Sequence, residues 1–174
     1  MAEQVPALFP DADCVTVRSF NHSGPGQTTD FVLASFTAQV VEMEAGRRPP
    51  VVEVGDIEVE RDFLDVRDVV RAYRLLIERG RRGQVYNVAS GTTYSIGSIL
   101  ETLRGLTHVK FDVRVDPSRR RPGQRRRIAA DTAKLKADTG WQPTIALNTM
   151  LCDLLNYWRA VQDKVTTSSY RAGP

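Results

Sequence analysis

A chain of 174 residues, 41% of them hydrophobic, is long enough for one compact domain with a real core. Its net charge of +3 excludes a polycation overall, although twenty of the 24 basic residues are arginine, whose fork suits phosphate and carboxylate. A GC-rich coding bias explains the excess of arginine equally well. No apolar run approaches the ~20 residues of a membrane span. Met1–Pro6 lacks the basic and apolar parts of a secretory signal, so a cytoplasmic protein is expected. Cys14 and Cys152 have no metal-ligand spacing and read as buried thiols of a reducing compartment, so no metal is expected.

In chain order, Asp13–Arg18 alternates β-branched residues as a strand does, and Asn21–Gln27 is a Gly/Pro turn. Thr29–Ala45 carries Phe31, Val32, Phe36, Val40, Val41 and Met43 on one helical face, with Gly46 as its stop. After Pro49-Pro50 comes a short strand, Val51–Val54, and a Gly55-Asp56 turn. Asp65 caps a helix to about Arg79, whose buried side is expected to be Val66, Val69, Val70, Tyr73, Leu76 and Ile77. Gln84–Val88 reads as a strand, Ser95 as the cap of a helix over 96–106, and Phe111–Val115 as a strand. Asp131 caps a short helix ending near Thr139-Gly140, and Asn148–Val161 is a last amphipathic helix. Thr166–Pro174 is polar and reads as a frayed end. Short strands alternating with helices give an α/β or α+β class: a small sheet with flanking helices. The expected division is a partial segment over 1–12, one domain over 13–161 and a polar tail over 162–174.

Several residues have two readings. Asp65 and Asp68 look like paired carboxylates, but acids at a helix N-terminus oppose its dipole, and that reading is preferred. Arg61 either meets an anion or pairs with Asp62 or Asp65. His22 reads as loop packing and Trp141 as a core residue. Six of the nine residues from Arg119 to Arg127 are arginine. They form a phosphate grip with a solvated flank, a nucleic-acid patch, or a basic loop without a ligand. No aromatic residue interleaves them, which argues against nucleic acid.

The segments Arg18–Gln27, Arg61–Tyr73, Gly83–Gly91, Asp116–Pro122 and Gly140–Pro143 occur in an order that resembles the extended short-chain dehydrogenase/reductases acting on nucleotide sugars. The likeness is strongest to GDP-4-keto-6-deoxymannose reductases and GDP-mannose 4,6-dehydratases, and it covers only their C-terminal half. The resemblance implies the substrate-binding lobe plus the last Rossmann strand, without the N-terminal Rossmann half. It implies Asn21, Arg61 and Arg121 as binders of a GDP-sugar, with Arg119 and Gln124 as weaker candidates. Gln124 stands where relatives usually carry an acid that accepts from ribose hydroxyls.

The catalytic Tyr-x-x-x-Lys of that family is missing. Tyr73, Tyr86, Tyr94, Tyr157 and Tyr170 are followed four places on by Ile77, Ser90, Ser98, Val161 and Pro174. Gly24-Pro-Gly26 lacks a third glycine, Thr29 standing there, so no cofactor cradle is expected here, and NAD(P) is implied only for a full-length relative. The implied function is the substrate-binding portion of a GDP-sugar 4-keto reductase or 4,6-dehydratase-like enzyme, with no catalytic residue in this chain. The alternative is a stand-alone, non-catalytic nucleotide-binding or protein-interaction module. Partners on these readings are a GDP-sugar together with a missing N-terminal half, a partner subunit or a second copy.

Overall fold

A computed structural model describes the backbone of residue 8 and residues 11–119, 123 and 125–171, and their side chains except Arg119 and 165–171. The elements are β1 (Thr16–Ser19), β2 (Asn21–Ser23), α1 (Val32–Glu44), β3 (Val51–Val54), β4 (Glu60–Asp65), α2 (Val66–Arg79), β5 (Val85–Val88) and β6 (Thr93–Ser95). They continue with α3 (Ile96–Leu106), β7 (Asp112–Val115), a 3-10 turn at Pro117–Arg119, β8 (Arg127–Ile128), α4 (Ala133–Thr139) and α5 (Leu147–Arg171). The chain divides into two compact units.

The first unit comprises Met1–His22, Glu60–Tyr94 and Arg127–Ala146. Its β1 and β5 pair in parallel, Thr16 opposite Val85 and Ser19 opposite Val88. Parallel neighbours need a crossover, and α2 lies within it. The core gathers Leu64, Val69, Ala72, Leu76, Tyr86, Val88, Leu135 and Trp141. Each large apolar side chain buried in this way contributes about 1.5–3 kcal/mol. Trp141 is buried as expected, and its Nε1 donates to the carbonyl of Asp68 at 3.0 Å, so its polar atom costs nothing in the core. Asp65 caps α2, Oδ1 accepting from the Arg67 amide at 2.9 Å, an interaction of about 1 kcal/mol.

The second unit comprises Ser23–Val59, Ser95–Arg126 and Leu147–Pro174. Helices α1 and α5 pack together. Each has a buried stripe at helical spacing, Leu33, Phe36, Val40 and Val41 on α1 and Met150, Leu151, Leu154 and Leu155 on α5. The buried end of α1 is tied by an ion pair. Glu44 accepts from Arg159 Nε at 2.8 Å and Nη2 at 2.7 Å, and from Thr107 Oγ1 at 2.7 Å. The Arg159 hydrogen bond, outweighing burial, holds the Glu44 carboxyl below its ordinary value. At Gly46 the chain leaves α1 with φ +67°, Gly46 N donating to Met43 O and Arg47 N to Glu42 O. Only glycine takes that left-handed turn without strain, which explains the predicted stop. Strands β3 and β7 pair in parallel, Val51 opposite Asp112.

Four expectations are corrected. Helix α1 begins at Val32 and not Thr29, because Thr28 Oγ1 donates to Asp30 at 2.9 Å and Phe31 N to Thr28 O, closing a turn ahead of the helix. Helix α2 buries Asp68, Val69, Ala72 and Leu76, whereas Val70, Tyr73 and Ile77 are exposed. A single neighbouring layer covers only one stripe of the helix, so the apolar residues beside it stay outside. Helix α4 is capped at Thr132, although Asp131 does accept from the Ala133 amide at 2.8 Å. Helix α5 runs on to Arg171, through most of the segment read as polar tail.

Candidate functional site

The strands that the sequence pattern leaves as loops build the site. Short β2 pairs with β4, which also pairs with β6 and, in parallel, with β8. Asn21 of β2 is exposed, and its Nδ2 donates to the carbonyl of Asp62 in β4 at 3.3 Å. The residue before Asp62 is Arg61, which is half-buried and donates from Nη1 to Glu60 O at 2.7 Å. Two of the five expected binders, Asn21 and Arg61, therefore stand on paired strands. Burial pushes the Arg61 guanidinium below its ordinary value, because a partly desolvated cation is disfavoured until an anion joins it.

The Arg61 strand is fixed from behind by Asp62, a residue that sequence reasoning treats only as a possible partner of Arg61. It is fully buried, with Oδ1 accepting from Ser90 N and Oδ2 from Gly91 N, both at 2.8 Å. A carboxylate that takes two backbone N–H groups pins β4 to the Ser90-Gly91 turn. The signal in sequence is an aspartate inside an apolar strand, Asp62-Phe63-Leu64, where only a satisfied carboxylate is tolerated. Glu60, on the other side of Arg61, accepts from Thr93 Oγ1 at 2.9 Å and meets Arg127 Nε at 3.4 Å.

The arginine run leads into this sheet, since β8 sets Arg127 opposite Glu60 and Ile128 opposite Arg61. Arg121 and Gln124 lie outside the described residues. Arg119 ends the 3-10 turn, in the second unit, where Asp116 Oδ1 accepts from Ser118 N at 2.9 Å. Asp65 and Asp68 are structural. Asp65 caps α2 and binds Arg67 through two nitrogens, each at 2.8 Å. Asp68 accepts from Thr144 N at 2.8 Å, Ile145 N at 3.0 Å and Arg71. His22 is engaged with its own loop, Nδ1 lying 3.0 Å from Phe20 O.

The Gly24–Gly26 turn follows β2, but α1 opens only at Val32, with Phe31 at its cap and no side-chain cap bond. A Cβ at Gly26 would meet nothing within 4 Å, and its φ of +92° is what calls for glycine. These residues do not fit a dinucleotide cradle, which needs a glycine turn opening directly into a helix. Among the described residues no cluster of His, Cys, Asp and Glu is arranged to hold a metal, and no helix is long and apolar enough to cross a membrane.

Parallel strand pairs with flanking helices make a small α/β fold, and comparison with known proteins gives the family. The model of the GDP-mannose 4,6 dehydratase family matches residues 10–154, and this chain belongs to that family. It is 41% identical over 146 residues to the GDP-6-deoxy-D-mannose reductase of Pseudomonas aeruginosa, covering 84% of this chain and 48% of the reductase. A dTDP-glucose 4,6-dehydratase of Streptomyces niveus is 30% identical, over 84% of this chain and 42% of its own length. The solved structure of RMD from Pseudomonas aeruginosa complexed with NADPH superposes with a TM-score of 0.84 at 38% identity, over 92% of this chain and 52% of that one. The chain thus spans about half the length of the curated relatives it matches.

Proposed function

We propose that this chain is the nucleotide-sugar-binding portion of a GDP-sugar 4-keto reductase or 4,6-dehydratase-like enzyme. It grips the diphosphate of a GDP-(4-keto-6-deoxy)hexose, and the reacting groups lie in another part of the enzyme. The observation that carries this reading is the pairing of β2 with β4, which sets the Asn21 amide beside the strand that bears Arg61. Arg61 donates charge-assisted hydrogen bonds to diphosphate oxygens, and Asn21 meets the sugar or ribose hydroxyls. By the family likeness Arg121 supplies a second cation to the diphosphate, with Arg119 and Gln124 as weaker contributors. The GDP preference rests on the 41% identity to the Pseudomonas reductase, since several other relatives act on dTDP-glucose by name.

On this reading the chain supplies binding and orientation, and NAD(P) sits in the half of the enzyme to which the present residues do not correspond. The half-length match also supports the second reading, a non-catalytic module that binds a nucleotide or a protein. Calorimetric titration of the 174-residue chain with GDP-mannose, UDP-glucose and dTDP-glucose tests the first. The expected result is saturable binding of GDP-mannose at least tenfold tighter than of the other two. Equal affinities would remove the GDP assignment, and absence of all binding would remove the site.

A further inference from the structure

Beside Arg61 stands a tyrosine whose hydroxyl the fold leaves unused. Strand β6 pairs with β4, and Thr93 Oγ1 donates to Glu60 Oε2 at 2.9 Å, so Thr93 and Glu60 share one face of the sheet. Successive strand residues point to opposite faces, which sends Tyr94 and Arg61 together to the other face. Just beyond β6, Ile96 N donates to Val59 O at 3.0 Å and Gly97 N to Ile57 O at 2.9 Å. One number rises as the other falls, so the two strands run antiparallel. Two residues along from the Ile96–Val59 pair, Tyr94 comes opposite Arg61. Residues opposed in an antiparallel pair have Cβ atoms about 5 Å apart.

Tyrosine hydroxyls inside a fold usually find partners, and two here do. Tyr73 Oη lies 2.5 Å from Ser19 Oγ, and Tyr86 Oη donates to Asp138 Oδ2 at 2.7 Å and accepts from Arg81 N at 3.0 Å. Tyr157 packs edge-on against Trp158, with ring centroids 5.3 Å apart. Half-buried Tyr94 has neither kind of contact: among the described residues its hydroxyl makes no hydrogen bond and its ring meets no aromatic or cationic group. Packing at this position would be served equally by phenylalanine. The phenol oxygen adds a donor that nothing in the fold takes up.

We propose that Tyr94 is a further ligand-binding residue, its hydroxyl donating to an oxygen of the diphosphate that Arg61 engages. The proposal rests on the contact of Arg61 with the diphosphate and extends that site to β6. In the order β2-β4-β6, Asn21 and Tyr94 flank the Arg61 strand from either side. The guanidinium offsets the charge of the diphosphate, and the neutral phenol O–H fixes the orientation of one oxygen beside it.

The test is calorimetric titration of the 174-residue chain, Tyr94→Phe and Arg61→Ala with GDP-mannose, GDP and guanosine. Tyr94→Phe is expected to bind GDP-mannose and GDP about tenfold more weakly, to bind guanosine as the wild type does, and to melt at the wild-type temperature. Because phenylalanine keeps the ring, a tyrosine that only packs would show no such ligand-dependent loss. Wild-type affinity in Tyr94→Phe alongside a weakened Arg61→Ala would overturn the role of Tyr94 and leave the site standing. An equal loss for guanosine would put the hydroxyl on the nucleoside and overturn the diphosphate contact. Unchanged affinity in Arg61→Ala, or a wild-type chain that binds none of the three, would overturn both the site and its extension.

Discussion

Two stretches rich in Asp and Arg, residues 61–68 and 116–127, look alike as sequence and are built differently. In the first, the carboxylates face inward. Asp62, Asp65 and Asp68 are each at most 1% exposed, and each accepts from backbone amides, at Ser90 and Gly91, at Arg67, and at Thr144 and Ile145. In the second, the described charges meet partners at the surface, Arg126 reaching Glu58 at 3.3 Å and Arg127 reaching Glu60 at 3.4 Å. A buried carboxylate with fixed donors defines backbone geometry, whereas an exposed arginine is cheap to move and ready to meet an external anion. The acids of the first stretch build a frame around Arg61, the residue proposed above to meet the diphosphate.

The largest effect should come from the frame. Asp68→Ala leaves the Thr144 and Ile145 amides without their acceptor and strips Arg71 of its partner, a loss of about 3 kcal/mol in urea unfolding. Asp62→Ala should cost a similar amount and in addition weaken GDP-mannose binding, because β4 loses its anchor at Ser90-Gly91. If both variants unfold at the wild-type midpoint, the carboxylates are not the frame.

Acid sharpens the same contrast. Burial opposes ionisation of Asp68, yet hydrogen bonds from Arg71 and from Ile145 and Thr144 outweigh it and hold the carboxyl below its ordinary value of 3.8. With the folded value below the unfolded one, the ionised group stabilises fully above 3.8, and that stabilisation is lost as pH falls through the lower folded value. Glu44 follows the same sign from its ordinary 4.5, through Arg159. Unfolding free energy should therefore fall as acid is added below these values, and Asp68→Asn should flatten part of that slope.

The second stretch should respond in the opposite way. Arg121→Ala is expected to weaken GDP-mannose binding about tenfold, the worth of one charge-assisted contact, with an unchanged melting temperature. Replacing Arg126 and Arg127 together should shift stability by less than about 1 kcal/mol, since exposed ion pairs contribute little. A destabilisation as large as that of Asp68→Ala would erase the distinction between the two stretches.

What sequence revealed follows from how many residues carry each signal. Helices α1, α2 and α3 and strands β3, β5 and β7 repeat an apolar period or carry a cap such as Asp65 or Ser95, and are legible. Strands β2, β6 and β8 have three residues or fewer, too short for alternation to show, and β4 hides an aspartate in its apolar run. Those four strands carry Asn21 and Arg61 or adjoin them, so in the sequence the candidate site shows only through the family likeness. The stripe Val70–Tyr73–Ile77 is apolar yet exposed for a related reason. Periodicity says which residues share a helix face, not how wide a strip the neighbouring layer covers.

The proposed function turns on contact between Arg61 and the diphosphate of a GDP-sugar. Calorimetric titration of GDP-mannose into the wild-type chain and into Arg61→Ala, with urea unfolding run on both, tests it most directly. The expected result is a loss of tenfold or more in affinity with stability within about 1 kcal/mol of wild type. Equal affinity in a folded Arg61→Ala variant would contradict it.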